Sequence, residues 1–230
     1  QRISRRALDM SAVLGGDVAE NIQVAAIMMQ NGLAKNSDEA LDLLTRGMQS
    51  VSTQMRGELP EILHEYSTHF RGMGFDGQEA MSLLVEMAKQ GKFALDKTGD
   101  AIKEFSIRGS DMSKASQEAY ESIGLDAEAM SSAIAGGGDG AQRALQTTAK
   151  ALLAITDPAE RANAAIALFG TPVEDWPSTT IPDFLKALSR SRNNLGQVEA
   201  PPKDWAPCCA TTCAATSPSW AAPGPTSPRP

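Results

Sequence analysis

Apolar residues recur along this chain at helical spacing, and nowhere do they alternate with period two for long. Val18, Ile22, Ala25, Met29 and Leu33 make one stripe at steps of three and four residues. Ala80, Leu83, Leu84 and Met87 make a second, and Ala162, Ala165, Ile166 and Phe169 a third. Start signals precede these runs. Ser37 reads as an N-cap ahead of Asp38 and Glu39, which suit the positive end of a helix dipole. Asp76 and Glu79 have capping-box spacing, Asp126 precedes Glu128, and Asp157-Pro158-Ala159-Glu160 joins a cap to a proline at the first helical position. Gly32, Gly91, Gly109, Gly124, Gly136 and Gly170 each follow a periodic run as stop signals.

The pattern predicts an all-α chain in three parts. Residues 1–17 are an N-terminal lead-in, with helical patterning already starting near residue 7. Residues 18–198 are a succession of short amphipathic helices and helical hairpins. Residues 199–230 are a tail without periodicity. Three strings within the helical part resemble one another: "NGLAKNSDEALDLL" from Asn31, "MGFDGQEAMSLLVEM" from Met73 and "IGLDAEAMSSAI" from Ile123. Each places a glycine, an apolar residue and an acidic cap before an amphipathic helix. Two readings are open: a stacked array of hairpins, or a joint that recurs in any helical protein. Ala141, Leu145, Thr148, Leu152 and Ile155 follow a four-three-four-three spacing. Two heptads suit a core helix better than a coiled-coil seam.

Composition narrows the picture. The chain has 230 residues, and its three Trp, two Tyr and six Phe make only 5% aromatics, so the 42% hydrophobic content rests on Ala, Leu, Ile, Val and Met. Such side chains favour helix-on-helix packing over a β-sandwich. The formal net charge of −7 opposes binding to a phosphate backbone, so no specific nucleic-acid binding is expected. No apolar run approaches the roughly 20 residues of a membrane span. The first residue is Gln1, and Arg2, Arg5 and Arg6 lead into no signal-peptide core, so the chain reads as part of a soluble protein. Eight of the 13 prolines, two of the three tryptophans and all of Cys208, Cys209 and Cys213 lie after residue 200. That Pro/Ala/Ser/Thr bias fits a disordered tail. The adjacent cysteines and isolated tryptophans fit translation out of frame better than a linker.

Candidate chemistry is sparse. His64 and His69 invite comparison with a zinc-protease helix, which needs histidines four apart. Here they are five apart, about 140° around a helix, with no placed third ligand. They read as surface histidines. Asp96-Lys97-Thr98-Gly99-Asp100 resembles the phosphorylated loop of P-type cation pumps but lacks any of their membrane helices. Asp96 is expected in the loop or first turn leading into "AIKEFSIRG". Gly136-Gly137-Gly138-Asp139-Gly140 lacks the Lys-Ser/Thr ending of a phosphate loop and reads as a flexible joint. No catalytic residue, cofactor-binding residue or metal ligand is assigned, no cofactor is expected, and the chain is not expected to be an enzyme.

Four stretches carry a resemblance. They are Ala19–Val51 ("AENIQVAAIMMQNGLAKNSDEALDLLTRGMQSV"), Arg56–Tyr66 ("RGELPEILHEY"), Leu95–Ser116 ("LDKTGDAIKEFSIRGSDMSKAS") and Ala167–Trp176 ("ALFGTPVEDW") followed by "IPDFLKAL". In this order they resemble the tail tape measure proteins of long-tailed bacteriophages, particularly those of actinobacterial hosts. The resemblance covers about residues 7–198. It implies a structural protein that sets tail length and scaffolds tube assembly. Its implied partners are the tail tube protein, tail assembly chaperones, tail tip proteins and further copies of itself. It implies a place in the virion tail, and in the host cytoplasm during assembly. Relatives run to many hundreds of residues, so this chain is expected to be partial. At 1.5 Å per residue its length as one helix would be at most roughly 345 Å. Glycines interrupt residues 1–198 about every 11 residues, so a folded helical segment is expected instead of a rod. The rival from the residues alone is a cellular helical-repeat adaptor; neighbouring genes for tail tube and tip would separate the two.

Sequencing the coding DNA across the codons near residue 199 is expected to reveal a shift of frame. An intact open frame through residue 230 would overturn that expectation.

Overall fold

The computed structural model describes residues 2–190, and everything said of structure below concerns these. The helical patterning expected over 191–198 and the tail expected at 199–230 lie outside the described residues. Within them run twelve α-helices, one 3-10 turn and no strand. The helices are α1 (Arg2–Leu14), α2 (Val18–Gln30), α3 (Ser37–Ser50), α4 (Glu58–Gly72), α5 (Gly77–Ala88) and α6 (Lys92–Arg108). They continue as α7 (Lys114–Ser122), α8 (Ala127–Ala135), α9 (Gly138–Ala154), α10 (Pro158–Phe169), α11 (Thr171–Glu174) and α12 (Thr180–Ser189). The all-α expectation holds. The helical series starts at Arg2, and α1 already sends Ala7, Met10 and Leu14 into the core.

The start signals act as their chemistry predicts, with one shift. Asp76 accepts from the Glu79 amide at 2.7 Å while the Glu79 carboxylate accepts from the Asp76 amide at 3.0 Å, a complete capping box. Asp157 accepts from the amides of Ala159 and Glu160 with Pro158 at the first helical position. Asp126 accepts from Ala129 at 2.8 Å. The cap of α3, however, is Asn36, whose side chain accepts from the Glu39 amide at 2.9 Å; Ser37 is the first helical residue. Asn and Ser are almost equally good caps, and an Asn-Ser pair leaves the register open. Asp17 and Ser113 cap α2 and α7.

The three similar strings build one backbone device. The amide of Leu33 donates to Met28 O, that of Phe75 to Phe70 O and that of Leu125 to Tyr120 O. The preceding glycines donate to Met29 O, Arg71 O and Glu121 O. This is the Schellman pattern, closed in each case by a glycine with φ between +73° and +80°. The residue after the glycine turns inward: Leu33 and Phe75 are buried, Leu125 is partly so, and Phe75 packs edge-on against Phe70 at 5.6 Å. The joint recurs, but the packing around it differs. α2 packs on α3, whereas α4 pairs mainly with α6 and α8 mainly with α9.

α6 lies at the centre. It contacts α4, α5, α10 and α11, and it buries Ala94, Leu95, Thr98, Gly99, Ala101, Ile102 and Phe105. The pairing of α4 with α6 is the most extensive, followed by α9 with α12. An aromatic chain joins α6 to the later helices: Phe105 stacks on Phe169 at 4.6 Å, Phe169 meets Phe184 at 5.3 Å, and Trp176 meets Phe184 at 4.8 Å. Thus six of the eleven aromatics, these four with Phe70 and Phe75, gather into edge and stacked pairs. Ala141, Leu145, Thr148 and Leu152 are all buried, so the four-three seam of α9 is a core face.

One contact is unusually tight. A Cβ on Gly74 would lie 2.3 Å from the Gly138 carbonyl oxygen, and φ there is +80°. Gly74→Ala is expected to cost at least about 1–2 kcal/mol from the left-handed backbone alone, and more from the clash. Urea unfolding checks this; an unchanged midpoint would show that the α4–α5 joint does not seat against α9.

Candidate functional site

α4 carries the residues with the most chemical potential, and its local sequence explains where they point. Leu59, Ile62, Leu63, Ser67 and Phe70 are buried, which turns Glu58, Glu61, His64 and Glu65 outward. His64 therefore faces a shallow groove of about 550 Å³ between α2 and α4, lined by Glu20, Gln23, Val24, Glu61, His64 and Glu65. Its Nε2 lies 3.5 Å from Gln23 Nε2. His69 projects about 140° away, as a five-residue step requires. It is half-buried on the side of α4 that meets α6, with its ring tilted at 48° to that of Tyr66 and 6.4 Å from it. The two histidines do not converge. Among the described residues no group of three or more His, Cys, Asp or Glu could hold a metal ion.

The electrostatics around His69 come from packing. Tyr66 lies flat on α6 because residue 99 is glycine: a Cβ there would sit 2.4 Å from the ring. Burial, then Asp100 and Glu65, push the Tyr66 hydroxyl well above its usual pKa. Burial, then Lys103, lower the His69 pKa, with Asp100 acting the other way. Tyr120 is the parallel case on α7. Burial and Asp111 raise its pKa, and its hydroxyl donates to Gly109 O at 3.1 Å. These perturbations belong to helix contacts and not to a cleft with a nucleophile.

The other candidate strings are placed clearly. Asp96 is neither in a loop nor in the first turn; it is the fifth residue of α6 and exposed. Thr98 and Gly99 of the same string are buried, Thr98 donating to Ala94 O at 2.7 Å, so the string has no freedom to surround a phosphate. The glycine run is a joint of only two left-handed residues, Gly137 and Gly138, and Gly138 and Gly140 already belong to the first turn of α9. Among the described residues no helix is long and apolar enough to cross a membrane. Surface ion pairs dominate what remains: Lys103–Asp100, Arg108–Glu104, Lys114–Glu118 and Lys186–Asp183 lie within single helices, Lys89–Glu86 lies at the C-terminal end of α5, and Lys92–Glu58 and Arg6 with Asp38 and Asp42 tie different helices. The α2–α4 groove was not foreseen. The spacing of Glu58, Glu61 and Glu65 at three and four residues could have marked an acidic helix face, but not the helix opposite it.

Residues 1–170 match the model of a family described as phage-related minor tail protein. The chain belongs to the phage-related minor tail protein family. It is 38% identical over 203 residues to the probable tape measure protein of Streptomyces phage phiC31, an alignment covering 86% of this chain and 27% of that protein. The chain spans about a quarter of the length of that curated relative. No solved structure matches it. In this member of the minor tail protein family, His64 and His69 lie on α4 and the Asp96 string lies on α6.

The lowered His69 pKa has a definite sign. The unfolded histidine takes up a proton near pH 6.5 and the folded one only at lower pH. Stability is thus unaffected above about pH 6.5 and is lost as pH falls from there through the folded pKa. Thermal melts between about pH 8 and pH 5 should show a steeper acid decline for the native chain than for His69→Gln. Parallel curves would remove His69 from the pH response.

Proposed function

We propose that this chain is a segment of a tail tape measure protein, a structural and non-enzymatic component that sets tail length and scaffolds assembly of the tail tube. The observation that carries the reading is the 38% identity to a probable tape measure protein, on a chain whose residues 1–170 match the minor tail protein family. The physics of the segment supports it. Its exposed surface is built from charged helix faces and short ion pairs, and its ionisable groups are perturbed by packing instead of converging on a substrate. The partners in this reading are the tail tube protein, the tail assembly chaperones, the tail tip proteins and other copies of the same chain. Its location is the virion tail, reached from the host cytoplasm during assembly.

A ruler made of folded helices measures length by the amount of chain it contains. Removing Val18–Ser50, the α2–α3 pair, in frame from the full-length gene is expected to shorten tails in electron micrographs of the resulting particles. Duplicating the pair is expected to lengthen them. Tails of unchanged length in both cases would refute the ruler role.

A further inference from the structure

The groove between α2 and α4 is framed by two helices that run side by side in the same direction. Gln23 lies against His64, and about two turns along, Asn31 Nδ2 donates to Ser67 Oγ at 2.6 Å. Buried Val24 forms the floor, Glu20 stands on one wall, and exposed Glu61 and Glu65 stand on the other. Glu58, one turn before Glu61, already pairs with Lys92 of α6. Glu20, Glu61 and Glu65 form no ion pair among the described residues. Three uncompensated carboxylates on the walls of one concavity focus a field that favours a cation there.

α9 carries the opposite charge on a face of its own. Burial of Ala141, Leu145, Thr148 and Leu152 turns Arg143, Thr147 and Lys150 outward at steps of four and three, and all three are exposed. Asp139 lies one turn before Arg143, in the first turn of the helix. Neither Arg143 nor Lys150 forms an ion pair among the described residues. The two cations stand about 10.5 Å apart along the helix, close to the roughly 8–10 Å between the axes of packed helices. Laid across the groove, α9 sets one cation over α4 and the other over α2, with the short Thr147 above Val24. Within one molecule the two surfaces do not meet. α9 approaches α4 at its far end, where Gly74 abuts Gly138, whereas the groove residues of α4 lie in its first half.

We propose that the α2–α4 groove of one copy receives the Arg143–Lys150 face of α9 from a second copy. This gives a surface to the self-association in the function proposed above, and it rests on that reading only for bringing several copies together. The contact is heterologous. A copy that fills its neighbour's groove leaves its own groove open, so the pairing extends into a row or closes into a ring. Its attraction acts between exposed groups, and it is therefore weak and screened by salt.

Sedimentation of the whole 230-residue chain tests this without reference to tail length, so a failed ruler and a failed contact are told apart. Reducing conditions keep Cys208, Cys209 and Cys213 from cross-linking copies. At up to about 1 mM the chain should associate at low salt and separate by about 0.5 M salt. Glu61→Lys with Glu65→Lys should weaken association at least about tenfold, and so should Arg143→Glu with Lys150→Glu. An equimolar mixture of these two variants should associate again, because each reversed surface then meets its complement. Should either reversal disturb the helical circular dichroism, the Gln substitutions at the same positions replace it, and each pair should still weaken association. A chain that stays monomeric at low salt overturns the proposal, as does association indifferent to either pair of substitutions. Loss on the groove substitutions alone would put another segment in the groove and overturn the pairing with α9.

Discussion

Helices in this protein approach one another so closely that at several crossings only a hydrogen atom fits. A Cβ on Gly47 would fall 2.2 Å from Met81 Sδ, one on Gly77 would fall 2.1 Å from Leu33 O, and Gly99 lies under the Tyr66 ring. These contacts follow from the aromatic-poor composition. With few large side chains to fill space between helices, the axes must come together until small residues meet. The tightness in turn dictates where the rare aromatics go. They sit where three helices converge and leave a larger space, as Phe105, Phe169, Phe184 and Trp176 do.

What was legible in the sequence was local. Asp76 with Glu79 and Asp157 with Pro158 fix helix starts through groups three residues apart, and such signals need no tertiary partner. The Asn36-Ser37 register failed because two good caps are adjacent. Asp96 was misplaced for a different reason. The pattern sets the string from Asp96 to Asp100 ahead of the helix, whereas Gly99 lies inside it and the space it leaves is used by Tyr66 from another helix, which no local pattern reveals. The same holds for the α2–α4 groove. The spacing of Glu61, His64 and Glu65 puts them on one helix face, whereas Glu20 and Gln23 join them only because α2 packs there.

Polar groups in the interior play a small and specific part. Thr45 and Thr98 turn back to carbonyls of their own helices, so they add no link between helices. Links come instead from a few side chains that reach across: Asn31 to Ser67 at 2.6 Å, Ser131 to Ser110 O at 2.9 Å, and Gln142 to Glu79 at 2.8 Å. The last ties α9 to the capping box of α5, beside the point where Gly74 meets Gly138. Sequence-distant helices are thus registered at their ends, while their lengths are held by apolar contact.

The recurring glycine joint also governs how much contour the chain stores. As one straight helix, Val18–Ser50 would reach about 50 Å. Folded about the joint at Gly32, the same residues lie as two helices side by side and take up about 21 Å. Glycine passes between left-handed and helical φ at little steric cost, so the obstacle to straightening such a joint is the loss of side-by-side packing and not the backbone. The joint at Gly32, where α2 and α3 pack on each other, is thus a reserve of extension held closed by that packing.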